Sequence, residues 1–171
     1  MRTVILSDEN GQSKGSAELL EAHSGNGLLH LAFSVFVFRK HRTQTLIQRR
    51  AATKMLWAGV WANTCCSHPL EGETAQEAGE RRLREELGFS VPLTPLCSFV
   101  YHATDPYGKG VEYEYDTILI GDSEEDITLN PDPKEVQEWK WIDRRELERD
   151  MCAHPDTYAP WLHIGLPKIS Q

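Results

Sequence analysis

No run of apolar residues in this chain approaches the ~18 that a membrane-spanning helix needs. Positive charge is also scarce: 18 Lys and Arg stand against 26 Asp and Glu, a formal net charge of −8 with His neutral. A chain this acidic lacks the basic face that non-specific nucleic-acid binding requires. Neither a membrane nor a nucleic acid is therefore an expected partner. The four cysteines fall at 65, 66, 97 and 152. Their spacing gives neither a disulfide framework nor the paired C-x-x-C of a structural zinc site, which points to a reducing cytoplasm. Repeats and low-complexity tracts are missing too, and the sequence passes from Met1-Arg2 directly into a strand-like run at 4–6 with no leader-like segment.

What is present is ordinary material for one globular domain over residues 1–171. The chain is 40% hydrophobic and 26% charged, enough to bury a core. Strand-like runs fall at 4–6, 31–38, 45–49, 96–101, 111–121 and 137–142. Residues 40–43 read as the turn of a hairpin, and Asp105-Pro-Tyr-Gly108 reads as another. A second short element is expected at 16–22, and the aromatic, Gly-punctuated stretch 57–63 reads as irregular. The clearest helix runs over 74–87, opened by a Thr74/Glu77 capping pattern and closed by Gly88. A charged helix capped by Asp143 spans 143–151, and a short one over 158–166 is expected to stop at Pro167. This pattern predicts an α/β or α+β fold, with a mixed sheet flanked by helices.

Two places break the local rules. On the 74–87 helix, Ala75, Gly79, Arg82, Leu83 and Glu86 share the face that should pack, yet Arg82 and Glu86 carry charge. An ion pair on a broad solvated face is the plain explanation; a guanidinium and a carboxylate aimed into a site is the functional one. In the 111–121 strand, Glu112, Glu114 and Asp116 fall on one face. A solvated sheet face would tolerate them, whereas a bound cation would relieve their repulsion. His23 and His30 bracket a Gly-rich loop, and His68 follows Cys66 by two residues. Imidazoles with carboxylates suit a borderline divalent ion such as Zn, Mn or Fe, although spacing alone does not show that they meet. His41, His102, His154 and His163 read as surface or structural, as do Cys97 and Cys152 as core or surface thiols.

From Ser67 to Phe89 the chain resembles a degenerate Nudix box, G-x5-E-x7-R-E-U-x-E-E-x-G-U with U a bulky aliphatic residue. Glu73, Arg81, Leu83, Glu85, Glu86 and Gly88 match in register. Ser67 replaces the first Gly, Arg82 replaces the first Glu of the R-E pair, and Phe89 the last aliphatic residue. That Glu is a metal ligand in Nudix hydrolases, so a cation in its place argues for holding a diphosphate intact. The wider order of motifs is Leu29-His-Leu-Ala-Phe-Ser34, Gln48-Arg-Arg50, Lys54, Trp57-Ala-Gly-Val-Trp-Ala-Asn63, Cys66-Ser-His-Pro69, Tyr101-His-Ala-Thr-Asp-Pro106, Glu112-Tyr-Glu114 and Pro160-Trp161. Across nearly the whole chain this is similar to type I isopentenyl-diphosphate isomerases.

The resemblance implies an enzyme that interconverts isopentenyl and dimethylallyl diphosphate through a tertiary carbocation. It implies that Cys66 and Glu114 are the acid/base pair, that Tyr101 hydrogen-bonds the carboxylate and that Trp161 faces the cation. His23, His30, His68, Glu112 and Glu114 would hold one divalent ion, Mn, Mg or Zn. Glu86 and the main-chain oxygen of Cys66 would help hold Mg on the diphosphate, with Arg50, Lys54 and Arg82 on the phosphates. A small diphosphate is then the partner, and the chain a monomer or weak homodimer. The family often carries Lys where Leu19 stands, and Lys14 is the candidate to replace it. The stretch from Tyr101 to Glu114 is one residue longer than the family pattern, around Gly108-Lys-Gly110.

These roles agree with elementary chemistry. An alkene is a very weak base, so its protonation needs a well-placed acid and a dry pocket. An indole face stabilises a desolvated cation by ~2 kcal/mol. Two other readings differ in outcome. A Nudix pyrophosphohydrolase of nucleoside diphosphate derivatives would release phosphate, and a non-catalytic diphosphate binder would turn nothing over.

Overall fold

The structure, a computed structural model, describes residues 2–124 and 127–169. In chain order come β1 (Thr3–Ser7), β2 (Ser13–Glu18), α1 (Leu19–Ala22), β3 (His30–Arg39), β4 (Gln44–Arg50), β5 (Trp61–Ala62) and β6 (Cys65–Ser67). They are followed by α2 (Ala75–Leu87), β7 (Thr94–Thr104), β8 (Val111–Asp122), β9 (Val136–Asp143), α3 (Arg144–Ala153) and α4 (Pro160–Lys168). The expected mixed sheet with helices on its faces is what forms.

β3 organises the sheet. It lies parallel to β8 along its whole length, from His30 beside Glu114 to Phe38 beside Asp122. On its other edge three partners share it in turn: β1 at His30, β6 at Phe33–Val35, and β4 only at the hairpin, at Phe38 and Arg39. Both faces of β3 are covered, which explains its near-continuous apolar sequence. Phe33, Val35 and Val37 pack in the cluster that includes Leu83 and Leu87 of α2. Phe36 and Phe38 pack in the other, with Leu147 of α3 and Trp161, Leu162 and Leu166 of α4.

Beyond the hairpin β4 leaves β3 and pairs instead with β5, while β9 pairs with β4 along its whole length. The split exposes strand backbone groups that still need partners. Thr64 satisfies two of them: its Oγ1 accepts from Val37 N at 2.9 Å and donates to Leu46 O at 2.7 Å. The 57–63 stretch read as irregular thus holds the short strand β5, and Thr64 just beyond it is a buried polar wedge.

α2 is capped as the sequence predicts. Thr74 and Glu77 form the reciprocal box, and Gly88 ends the helix at φ 73°. At Gly79 a Cβ would lie 2.6 Å from Leu119 Cδ1 and 2.8 Å from Leu93 Cδ1, so a hydrogen there lets α2 settle onto the sheet. Three expectations need correction. The 16–22 element divides into a strand and one helical turn. β7 is longer than read, because antiparallel pairing with β8 continues from Thr104 beside Val111 to Thr94 beside Ile120. Pro167 does not stop α4, which runs to Lys168. Pro167 is the second-last residue of α4, so its missing N–H interrupts only the last turn.

Candidate active site

Sheet register assembles the site. His30 of β3, Glu114 of β8 and Tyr101 of β7 are adjacent across three strands. Period two puts Glu112 and Asp116 on the same face as Glu114. All three acids are buried, so the solvated-face explanation does not hold here. Ser34, two places beyond Ala32 on β3, sits beside Cys66 of β6. His23 enters from the loop after α1. Gly27, at φ 76° and within 2.6 Å of Val111 Cγ2 if it bore a Cβ, allows that loop to fold His23 back over β8.

The three imidazoles and Glu112 offer ligand atoms that all lie within 4.8 Å of one another. His23 Nδ1 is 3.2 Å from Glu112 Oε2, and His68 Nε2 is 3.0 Å from Glu114 Oε1. His30 donates from Nδ1 to Leu28 O at 2.7 Å, the usual outer-shell anchor that turns the other ring nitrogen inward. Its Nε2 then lies 3.2 Å from His68 Nε2. Two imidazole nitrogens this close, beside a buried Glu112 oxygen with no hydrogen-bond partner among the described residues, fit a divalent cation.

The electrostatics follow. Burial lowers His23, and lowers His68 to about 4, so both rings are neutral, the form that ligates. Burial, reinforced by the Glu114 charge, pushes Glu112 well above the ordinary carboxylate range. Burial acts on Glu114 in the same sense, but the His30 and His68 rings beside it outweigh burial and hold Glu114 well below the ordinary carboxylate range. Tyr101 Oη donates to Glu114 Oε2 at 2.5 Å.

Most of these groups line a cleft of about 260 Å³. His23, Glu112, Glu114, Tyr101, Cys66, His68 and Trp161 line it together with Arg50 and Lys54. Burial, with the charge of Asp116 next, pushes the Cys66 thiol up, so the sulfur keeps its proton. Trp161 is braced edge-on by Trp57 at 5.5 Å between centroids, and Arg50 lies 5.2 Å from its ring. Trp57 itself stands at φ 47°, held by an N–H to Asp105 Oδ2 at 2.8 Å and by Arg50 Nε to its carbonyl at 3.1 Å.

Arg82 and Glu86 are buried and paired, Nη2 to Oε1 at 2.5 Å, and do not line the cleft directly. Arg82 also reaches Glu85 at 2.7 Å and Glu135 at 3.0 Å, and Glu135 closes the chain by pairing with Lys54. Burial opposes the charge of Arg82, but these carboxylates hold it firmly protonated. Glu86 accepts a further bond from Gln48 at 3.2 Å.

The comparisons with known proteins come to the same place. The Nudix domain family pattern matches residues 28–162. An isopentenyl-diphosphate Delta-isomerase of Halorhodospira halophila is 45% identical over 161 residues, 94% of this chain and 91% of that protein. The chain belongs to the isopentenyl-diphosphate Delta-isomerase family. The Nocardia farcinica isomerase is 43% identical over 159 residues, covering 93% of this chain and 89% of its own. A crystal structure from Deinococcus radiodurans shares the fold, with a TM-score of 0.69 at 21% identity over 89% of this chain and 90% of that one.

Within this family member, Lys14 is not where the sequence suggested. It lies on β2, 2.9 Å from Asp8, and does not line the cleft. Arg2 and Lys134 do, beside Leu19. Neither carried a motif that sequence reasoning could use, since one precedes β1 and the other lies in the loop before β9. Asn63, Ser34 and Asp116 were also missed as partners of Cys66; their burial was the signal, and it is invisible in one sequence. His41, His102, His154 and His163 stay outside the cluster. Among the described residues no helix is long and apolar enough to cross a membrane.

Proposed function

We propose that this chain interconverts isopentenyl diphosphate and dimethylallyl diphosphate. A proton added to the terminal CH₂ leaves a tertiary cation, and loss of a proton from the carbon nearer the diphosphate places the new double bond. Cys66 and Glu114 exchange these two protons. The observation that carries this reading is that a protonated thiol and an ionised carboxylate line one cleft with the Trp161 indole. Such a pair can give a proton at the terminal carbon and take one from the carbon on the other side of the cationic centre.

Trp161 supports the cationic carbon through its ring, and Tyr101 fixes the carboxylate of Glu114. Arg50 and Lys54 bind the diphosphate from the cleft wall, and Arg82 is linked to Lys54 through Glu135. His23, His30, His68, Glu112 and Glu114 would hold one divalent ion, Mn, Mg or Zn, and Glu86 with the Cys66 carbonyl would help hold Mg on the diphosphate. Such ions would supply fixed positive charge beside the carboxylate and the phosphates. A free thiol in the mechanism favours the reducing cytoplasm. The whole chain acts as one domain. One protomer carries every residue named, so a monomer or weak homodimer suffices, and the net negative charge disfavours nucleic acid.

Turnover is tested by incubating the protein with isopentenyl diphosphate, Mg and Mn, followed by acid. Allylic diphosphates hydrolyse in acid and the homoallylic substrate survives. A labile fraction that grows with time, and is lost on Cys66→Ala in a folded protein, is the expected result. Phosphate released from nucleoside diphosphate derivatives instead, with no effect of Cys66→Ala, would show a hydrolase.

A further inference from the structure

Asn63 lies between β5 and β6 and is fully buried. Its Nδ2 donates to Val35 O at 2.9 Å and to Cys65 O at 3.1 Å. Its Oδ1 accepts from Cys66 Sγ at 2.9 Å and from Trp161 Nε1 at 3.0 Å. The chemistry of the partners allows this amide one orientation only. Main-chain carbonyls accept and cannot donate, while an indole N–H donates and cannot accept. Two donors and two acceptors use the whole hydrogen-bonding capacity of the side chain. In a dry interior this leaves no slack, because any rotation would strand a buried polar group.

One oxygen atom therefore ties a thiol on β6 to an indole on α4, residues that are far apart in the chain. The sulfur has a second, longer neighbour, Ser34 Oγ at 3.7 Å, itself committed to Asp116 at 2.7 Å. The ring has apolar neighbours that set its depth, but Asn63 is its one hydrogen-bond acceptor among the described residues.

We propose that Asn63 is a positioning residue for turnover, its Oδ1 holding the Cys66 sulfur and the Trp161 ring in one fixed relation. The inference rests on the isomerase reading above. A proton transfer and a cation–ring contact both decay within an ångström of misplacement, so a shared anchor is felt in the chemical step rather than in substrate capture. The anionic half of the substrate is gripped elsewhere, by Arg50 and Lys54.

The test compares Asn63→Ala with the parent protein in the acid-lability assay, alongside the dissociation constant for inorganic diphosphate. The expected result is a kcat lower by about 100-fold, with KM and diphosphate affinity within about threefold. The indole N–H signal of Trp161, assigned by its loss in Trp161→Phe, should move upfield and exchange faster with water. A kcat within about threefold of the parent, or a parallel loss of diphosphate affinity, would overturn the proposal. Failure of the parent protein to isomerise would instead defeat the activity itself.

A second route avoids the bonds to Val35 and Cys65, should Asn63→Ala not fold. Joining residues 1–151 to a synthetic 152–171 at the exposed Cys152 lets Trp161 be replaced by its benzothienyl analogue. That ring keeps the bicyclic shape and lacks the N–H. A kcat about tenfold below a ligated control carrying Trp161, at unchanged KM, is expected. A kcat within about twofold of that control would overturn the proposal.

Discussion

Tyr101 Oη and Glu114 Oε2 stand 2.5 Å apart because β7 and β8 place the two residues directly opposite each other. Strand pairing, rather than side-chain length, sets this contact. The bond goes to an ionised carboxylate, for which roughly 1.5–3 kcal/mol is usual. Tyr101→Phe should therefore lower kcat by about 10- to 100-fold, with little change in KM for isopentenyl diphosphate. Steady-state kinetics on the folded variant checks this; a KM effect without a kcat effect would assign Tyr101 to binding.

The cleft offers two cations that neither a carboxylate nor a main-chain carbonyl engages among the described residues. Arg50 is tied to the carbonyls of Trp57 and Leu56, and Lys54 to Glu135, whereas Arg2 and Lys134 have no ion-pair partner among the described residues. Arg2→Gln and Lys134→Gln should each raise KM about three- to tenfold while kcat holds, an exposed charge-pair effect that weakens with salt. Lys14→Gln should change neither constant. A KM that ignores Arg2 and Lys134 would remove them from the diphosphate site.

Glu135 carries a pH signature. Burial would raise it, but the charge of Lys54 and hydrogen bonds from Lys54 and Arg82 lower it to about 2. A carboxylate lowered in the folded state adds stability above its unfolded value, near 4.5, and loses that contribution as pH falls toward 2. Denaturant titrations should show Glu135→Gln less stable than the parent by on the order of 2–3 kcal/mol at pH 7. The gap should close between pH 4.5 and 2. A gap independent of pH would mean that Glu135 is not ionised between its two cations.

Metal removal has a thermal readout. An ion held at a hundred times its dissociation constant adds about 2.7 kcal/mol. For a domain of this size that is a rise in Tm of roughly 5–10 °C. Mn or Zn should produce this rise in chelator-treated protein, and His68→Ala or Glu112→Gln should abolish it. An equal rise in those variants would place the ion elsewhere.

The helix over Ala75–Leu87 was legible to within a residue because caps are local: Thr74, Glu77 and Gly88 act on their own turn. The alternation Glu112, Glu114, Asp116 gave their shared face for the same reason, since period two is a property of the strand itself. The motif order named the family, and the sequence alone placed Cys66, Glu114 and the three histidines as candidates. Whether Glu112, Glu114 and Asp116 faced water was open, because exposure depends on what lies across the sheet.

Contacts between distant segments belonged to the tertiary structure alone. The choice of Arg2 over Lys14 at the cleft turns on how β1 and β2 pair, which no local pattern encodes. The tie from Cys66 through Asn63 to Trp161 needs β4 to part from β3 and α4 to close over the gap. Local propensity and spacing decided which residues could do the chemistry. Strand register and helix docking decided which of them meet, because hydrogen bonds and ion pairs act over a few ångströms in space and are blind to distance along the chain.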